Sequence, residues 1–336
     1  MKKILLTGDF FHDYQVDLKE GLEQNGYEVD LRFNNIHGPF HALDGKTFLK
    51  WMKYGLLPHK LKIPQFTKRA IERYNQDLQF MMRRKDYDAM LVIGAKTIYP
   101  ETLSAFQGRK IFYFIDALPQ YESVYPIIPL FDHHFVFEPS DVSIVQEKFG
   151  LTAHFLTLAF SPTRYYKKNE QDSIYDFSFV GTRYPKREEY LNELLSVSEN
   201  LAIYGDFYKS RYKAIRNKTR RITAPFQVVN DVYNSSRVNV NIHHPQSKEG
   251  LAIRTFEIIG AGGFQLVERQ KAALMFFEED KHMAFYDNKE EFIDKASYFL
   301  KNETLRRQIA ESCYHLALQK HTWKHRIKEM FDLVKL

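Results

Sequence analysis

Short apolar runs alternate with amphipathic stretches along most of this chain. In the first half, residues 3–7 (KILLT) read as a strand, about 14–25 as a helix and 27–33 as a second strand. After a long irregular segment the pattern resumes with a helix near 68–84 and two apolar strands, AMLVIGA at 89–95 and KIFYFID at 110–116. Residues 134–137 and 154–158 read as short strands around a helix at 142–149. Such alternation predicts a parallel sheet with helical crossovers, a Rossmann-like first domain.

Residues 160–173 turn polar and irregular (SPTRYYKKNEQDS follows Phe160), as an interdomain linker does. A second alternating unit follows. Its strands are DFSFVG, LAIYG, VNVNIH and GFQLVE, and its helices run over 186–197, 226–235 and 254–259. Residues 292–336 are helical in pattern. The expected layout is a first domain over 1–160, a linker over 161–174, a second domain over 175–316 and a final helix over 317–336. In VNVNIHHP, Val238, Val240 and Ile242 alternate with Asn239, Asn241 and His243, which predicts one polar flank near the strand end.

A length of 336 residues suggests about two domains, and 44% apolar with 15% aromatic residues supply two cores. The N-terminal run stops at Thr7 and Gly8, too short for a signal-peptide core, and no run approaches the roughly 18 apolar residues of a membrane span. A soluble protein is expected, cytoplasmic, with peripheral attachment to the inner face of the membrane as an option. The single cysteine, Cys313, falls on an apolar helical stripe and reads as a small core residue, in keeping with a reducing compartment. The net charge of +6 favours anionic partners without naming one.

Candidate chemistry concentrates in residues 248–268, KEGLAIRTFEIIGAGGFQLVE, where seven residues separate Glu249 from Glu257. Glu249 lies in a Gly-containing turn and Glu257 in the first turns of a helix. Unpaired amides at that helix start suit a diphosphate, and the carboxylates suit hydroxyls on either side. In open α/β sheets ligands bind beyond the strand carboxyl ends. One such end, GTRYPKR, offers Gly181 for close approach and Arg183, Lys186 and Arg187 before a helix, where the dipole disfavours cations unless an anion is shared. His243 and His244 precede the Glu249 loop, placed to bond a ligand or to order that loop. Adjacent histidines with no further ligand pattern do not read as a metal site. Arg254 can pair with a phosphate oxygen, or with Glu257 or Glu249. In the first domain the strand-end residues are Asp9 and His12, in TGDFFHD, and Asp116.

The Glu-x7-Glu spacing and the words around it resemble the retaining glycosyltransferases of the GT-B fold, in the group 1 superfamily. RTFEIIGAGGFQLVE, with the acidic stretch, FYD and helical tail that follow, is similar to the spore-maturation-type (CgeB-like) subgroup, over roughly residues 175–326. The resemblance implies an α/β GT-B architecture, with two Rossmann-like domains facing each other across a cleft and a C-terminal helix crossing back to the first. It implies a hexosyltransferase-type enzyme that moves a sugar from a nucleotide diphosphate sugar, a UDP-sugar foremost, to an acceptor hydroxyl with retention. No cofactor and no metal are implied. Glu249 would meet the donor sugar and Glu257 the ribose. Gly181, Arg183, Lys186, Arg187, His243 and Arg254 would line the donor, with the base read near Tyr204 and around 222–226. Asp116, then Asp9 and His12, would face the acceptor or act in catalysis. The acceptor class stays open between a cell-surface glycan, a lipid-linked intermediate and a protein side chain. A nucleotide-sugar epimerase, or a catalytically silent partner of another transferase, keeps the same donor site.

Asp86-Tyr87-Asp88 spells a metal-binding Asp-x-Asp, but it precedes the strand AMLVIGA and so lies at the edge away from ligands, as a structural turn. Residues 46–85 and 208–221 are strongly basic, suited to an anionic membrane surface or acceptor, or to plain solvation. No motif supports nucleic-acid binding.

Overall fold

Six parallel strands carry the first half of the chain: β1 (Lys3–Asp9), β2 (Glu28–Asn34), β3 (Ala89–Ile93), β4 (Arg109–Phe114), β5 (His133–Val136) and β6 (Ala153–Phe155), in the order β2-β1-β3-β4-β5-β6. A second parallel sheet holds β7 (Tyr175–Val180), β8 (Leu201–Tyr204), β9 (Thr219–Arg221), β10 (Ser236–Asn241), β11 (Gln265–Glu268) and β12 (Ala284–Tyr286), ordered β12-β11-β10-β7-β8-β9. The computed structural model describes residues 1–9, 14–34, 64–169, 173–221 and 225–336. It forms two units, one of residues 1–157 with 323–336 and the other of residues 158–322.

Parallel pairing explains the apolar runs, because helices cover both faces of such a sheet and leave no side of a central strand in water. All of β3 is buried, as are Ile4 to Leu6 of β1 and Ile111 to Phe114 of β4. In the first unit Leu5, Met90, Val92, Phe112 and Phe114 share one core; in the second, Phe177, Phe179, Ile203, Val238, Val240 and Leu266 share another. The polar flank expected on β10 lies inside the protein. Asn239, Asn241 and His243 are all buried, since β10 is an inner strand. Asn239 accepts from Ser178 Oγ and donates to the Tyr233 and Phe264 carbonyls, while Asn241 donates to Thr255 Oγ1 and Gln265 Oε1. These amides tie a polar seam through the sheet instead of facing solvent.

Strand order reverses once in each sheet, between β1 and β3 and between β7 and β10, while every strand pair stays parallel. Where the first reverses, Gly8 holds φ 128°, and a Cβ there would lie 2.1 Å from the Ile93 carbonyl oxygen. No side chain fits. The helix Trp323–Val334 belongs to the first unit, where it packs on the helix Tyr14–Gln24. Gly21 lets the two approach, since a Cβ would meet the Trp323 backbone at 2.9 Å, and Tyr27 packs on Phe331 with ring centroids 4.7 Å apart. Cys313 is buried on the helix Glu303–Lys320. Asp86 to Asp88 form the turn before β3, where Asp88 accepts from the Lys3 amide at 2.7 Å. Among the described residues no helix is long and apolar enough to cross a membrane.

Asp141 lies buried in the first turn of the helix Pro139–Phe149, accepting from the Leu118 amide at 2.8 Å. Burial pushes its carboxyl from the ordinary 3.8 up to about 7. Between those values the unfolded chain is deprotonated while the native carboxyl keeps its proton, so this group's contribution is fully present below about pH 4 and is lost as pH rises through 7. Asp141→Asn, which keeps the acceptor without the charge, should therefore raise the Tm at pH 8 by roughly a few degrees. At pH 4 the gain should vanish, as thermal melts at the two pH values will report.

Candidate functional site

The second unit gathers its polar residues where β7 and β10 diverge, the position at which open α/β sheets receive ligands. After β7 the chain turns through residues 181–184 into the helix Pro185–Leu194. Gly181 packs beside the loop after β8, its amide donating to the Tyr204 carbonyl at 2.9 Å. Gly205 holds φ 152°, and a Cβ on it would fall 1.9 Å from the Gly181 carbonyl oxygen. Two bare backbones thus meet at this corner. Tyr204, at the end of β8, is buried beside them.

The three cations expected at the helix start take different places. Arg187 is buried, with Nε donating to the Ile242 carbonyl at 2.9 Å and Nη1 to the Thr182 carbonyl at 2.8 Å. It bridges the ends of β7 and β10. Burial first, and then the neighbouring charge of Arg254, lower its pKa to about 10. Lys186 pairs with Glu268 at the end of β11, and that carboxylate also accepts from the His243 amide at 3.3 Å. Arg183 pairs with Glu188 at 3.3 Å, and its amide donates to Asp206 at 2.7 Å. Local carboxylates therefore offset part of the positive charge that the dipole argument attributed to a shared anion.

His243 follows β10 and is 1% exposed, yet neither ring nitrogen has a hydrogen-bond partner among the described residues. A polar group left so costs about 1–3 kcal/mol. Desolvation, reinforced by the Arg187 and Lys186 charges, lowers its pKa to about 3, which keeps the ring neutral. The buried Nε of Arg183 is likewise without a partner among these residues.

The helix Ile253–Gly260 begins after Ala252 with no side-chain cap and no acid in its first turn. Its first amides are left to other partners. Arg254 donates to Glu257 Oε2 at 3.3 Å and to the Tyr233 hydroxyl at 3.4 Å. Of the two readings open for Arg254, the structure contains the pair with Glu257. The other oxygen of Glu257 accepts from the Tyr165 hydroxyl at 2.9 Å. Glu249 pairs with Lys271 at 3.4 Å, while its carbonyl accepts from the Ala272 amide.

In the first unit, Asp9 Oδ2 accepts from the Lys96 amide and Oδ1 from the Thr97 hydroxyl, both at 2.7 Å. Burial raises its pKa. Asp9 thus anchors the loop after β3, where Gly94 and Ala95 both hold positive φ. Asp116 pairs with Lys96 Nζ at 2.6 Å, and that ammonium sits 3.5 Å from the centre of the Tyr121 ring. His12 lies outside the described residues, as do residues 46–63 of the basic stretch and 222–224 near the expected base contacts. Glu268 was within reach of the strand-end rule, since it closes GFQLVE. Tyr165 was not, because its segment carries no periodicity.

Residues 175–332 match the family model described as "Glycosyl transferase-like". No curated protein matches the chain. Among solved structures it is similar to sucrose-phosphate synthase from Thermosynechococcus elongatus, with 9% identity and TM-score 0.66, over 100% of this chain and 98% of that one. A glycosyltransferase from Rickettsia africae gives 10% identity and TM-score 0.66, over 99% and 98%. HepE of Anabaena, in complex with UDP and glucose, gives 11% identity and TM-score 0.64, over 100% of both chains. The fold is GT-B, with two parallel six-stranded sheets and their helices.

For His243 the folded pKa lies below the ordinary 6.5, so its contribution is present above pH 6.5 and is lost as pH falls towards 3. His243→Leu should flatten the decline in unfolding free energy between pH 8 and pH 5 relative to wild type. Denaturant melts at both pH values measure the difference, and parallel slopes would contradict the assignment.

Proposed function

We propose that this chain is a GT-B glycosyltransferase that transfers a sugar from a nucleotide diphosphate sugar, a UDP-sugar foremost, to an acceptor hydroxyl. The observation that carries the reading is the divergence point of β7 and β10. There Arg183, Lys186 and Arg187 stand with the bare backbone of Gly181 and Gly205 and with a His243 whose ring nitrogens have no hydrogen-bond partner among the described residues. An anion with polar groups on both sides fits that chemistry better than an apolar ligand does. The family match over residues 175–332 and the UDP and UDP-glucose complexes of HepE support it.

In this reading, departure of the nucleotide is driven electrostatically. Arg183, Lys186, Arg254 and the amides opening the helix Ile253–Gly260 offset the charge that grows on the leaving diphosphate, with no metal required. Lys186 shares its charge between Glu268 and the phosphate. Arg187 holds the two strand ends at the correct separation, and His243 supplies a neutral hydrogen-bonding group to the donor. Glu249 orients the sugar and Glu257 receives the ribose, while backbone near Tyr204 meets the base. Asp116, held by Lys96, is the first-unit group assigned to the acceptor hydroxyl; Asp9 has the supporting role of fixing the Lys96 loop. The Glu-x7-Glu pair supports the reading of a retaining hexosyltransferase of the CgeB-like subgroup. Cell-surface glycan synthesis by a cytoplasmic enzyme resting on an anionic membrane is the setting that its net charge of +6 favours.

Thermal-shift titration with UDP, dTDP, GDP and ADP tests the donor. UDP is expected to stabilise the wild type, and Glu257→Ala to bind it about 10- to 100-fold more weakly, the scale of a lost hydrogen bond to a charged group. If no nucleotide shifts the wild type, the nucleotide-sugar reading fails and a catalytically silent role takes its place. With a donor and acceptor in hand, the anomeric proton coupling of the product by NMR should report retention. Inversion would instead require a general base, with Asp116 the first residue to test.

A further inference from the structure

Both carboxylate oxygens of Glu257 are held by hydrogen bonds. Tyr165 donates to Oε1 at 2.9 Å and Arg254 to Oε2 at 3.3 Å. Arg254 also donates to the Tyr233 hydroxyl at 3.4 Å. Tyr165 and Tyr233 are both buried, with ring centroids 6.5 Å apart. Burial and the adjacent Glu257 hold the Tyr165 phenol far above its ordinary pKa, so its oxygen keeps its proton and donates.

A carboxylate anchored through one oxygen can still swing about its terminal bond. Anchored through both, it has a fixed plane. Each carboxylate oxygen has two acceptor directions, so Oε1 retains one after Tyr165 has taken the other. A vicinal diol presents two donors at fixed separation, and a carboxylate of fixed plane meets both without further ordering.

We propose that Tyr165 is a positioning residue that fixes the plane of the Glu257 carboxylate for the two hydroxyls of a ribose, and so makes the site select ribonucleotides over 2′-deoxyribonucleotides. The inference rests on the donor reading above and adds to it which sugar of the nucleotide is read and by what support. Tyr165 stands in the polar segment that the sequence pattern marks as a linker, yet it packs within the second unit.

Titration calorimetry on the full chain with UDP and 2′-deoxy-UDP tests it. Wild type should prefer UDP about tenfold, and Tyr165→Phe, which keeps the ring, should weaken UDP about fivefold while changing 2′-deoxy-UDP less than about twofold. Tyr165→4-aminophenylalanine, which restores a para N–H donor, should recover the preference. A structural role alone would lower the melting temperature and weaken both ligands equally, and that result in a folded variant overturns the proposal. Should Tyr165→Phe not fold, the wild type still decides: equal affinity for UDP and 2′-deoxy-UDP, or selection of dTDP, overturns the proposal while leaving the donor reading intact. Binding of no nucleotide at all removes both.

Discussion

The guanidinium of Arg187 is the contact on which the candidate site depends. Two parallel strands that diverge share no further ladder beyond their last pair, and their carboxyl ends would be free to separate. Arg187 reaches one carbonyl after each strand, Thr182 and Ile242, and closes that gap from inside the protein. Its burial between the Phe179 and Tyr184 rings, 5.3 and 5.2 Å from its centre, keeps water from competing for those carbonyls. The Gly181 and Gly205 backbones, the Lys186–Glu268 pair and the His243 ring all gather around the geometry it sets.

Charge in this region is balanced rather than simply positive. Glu188 and Glu268 answer Arg183 and Lys186, and Glu257 answers Arg254. Such pairs hold long side chains in place without a ligand, so an incoming anion meets donors already ordered. The first unit follows similar logic in a smaller space. Asp9 fills the turn after β3 with its own carboxylate, and Lys96, so placed, is shared between Asp116 and an aromatic face.

Much of the fold was legible because parallel strands leave apolar runs that no surface segment imitates; AMLVI, buried at every position, is the plainest. The Glu pair was legible because one partner sits in a glycine turn and the other in a periodic helix. Other features left little trace. β9 is a three-residue edge strand of Thr and Arg, and its neighbouring helix Lys213–Lys218 is short and basic, so neither shows the periodicity of a buried element. Asn239 and Asn241 read only as a polar flank because period-two alternation cannot separate a wet flank from a buried amide network. Tyr165 was hidden for another reason: its partner Glu257 is 92 positions away, and only the tertiary fold brings them together.

The helix Trp323–Val334 gives the two units unequal histories. The second is continuous in sequence and has all its parts once residue 322 has been made, whereas the first has its six strands early but lacks the helix that covers Tyr27 and Gly21. During synthesis the unit begun first is completed last, and until residues 323–336 emerge it presents an apolar face to the cell. Chaperone engagement of the nascent chain would therefore centre on the older unit, not the newer one.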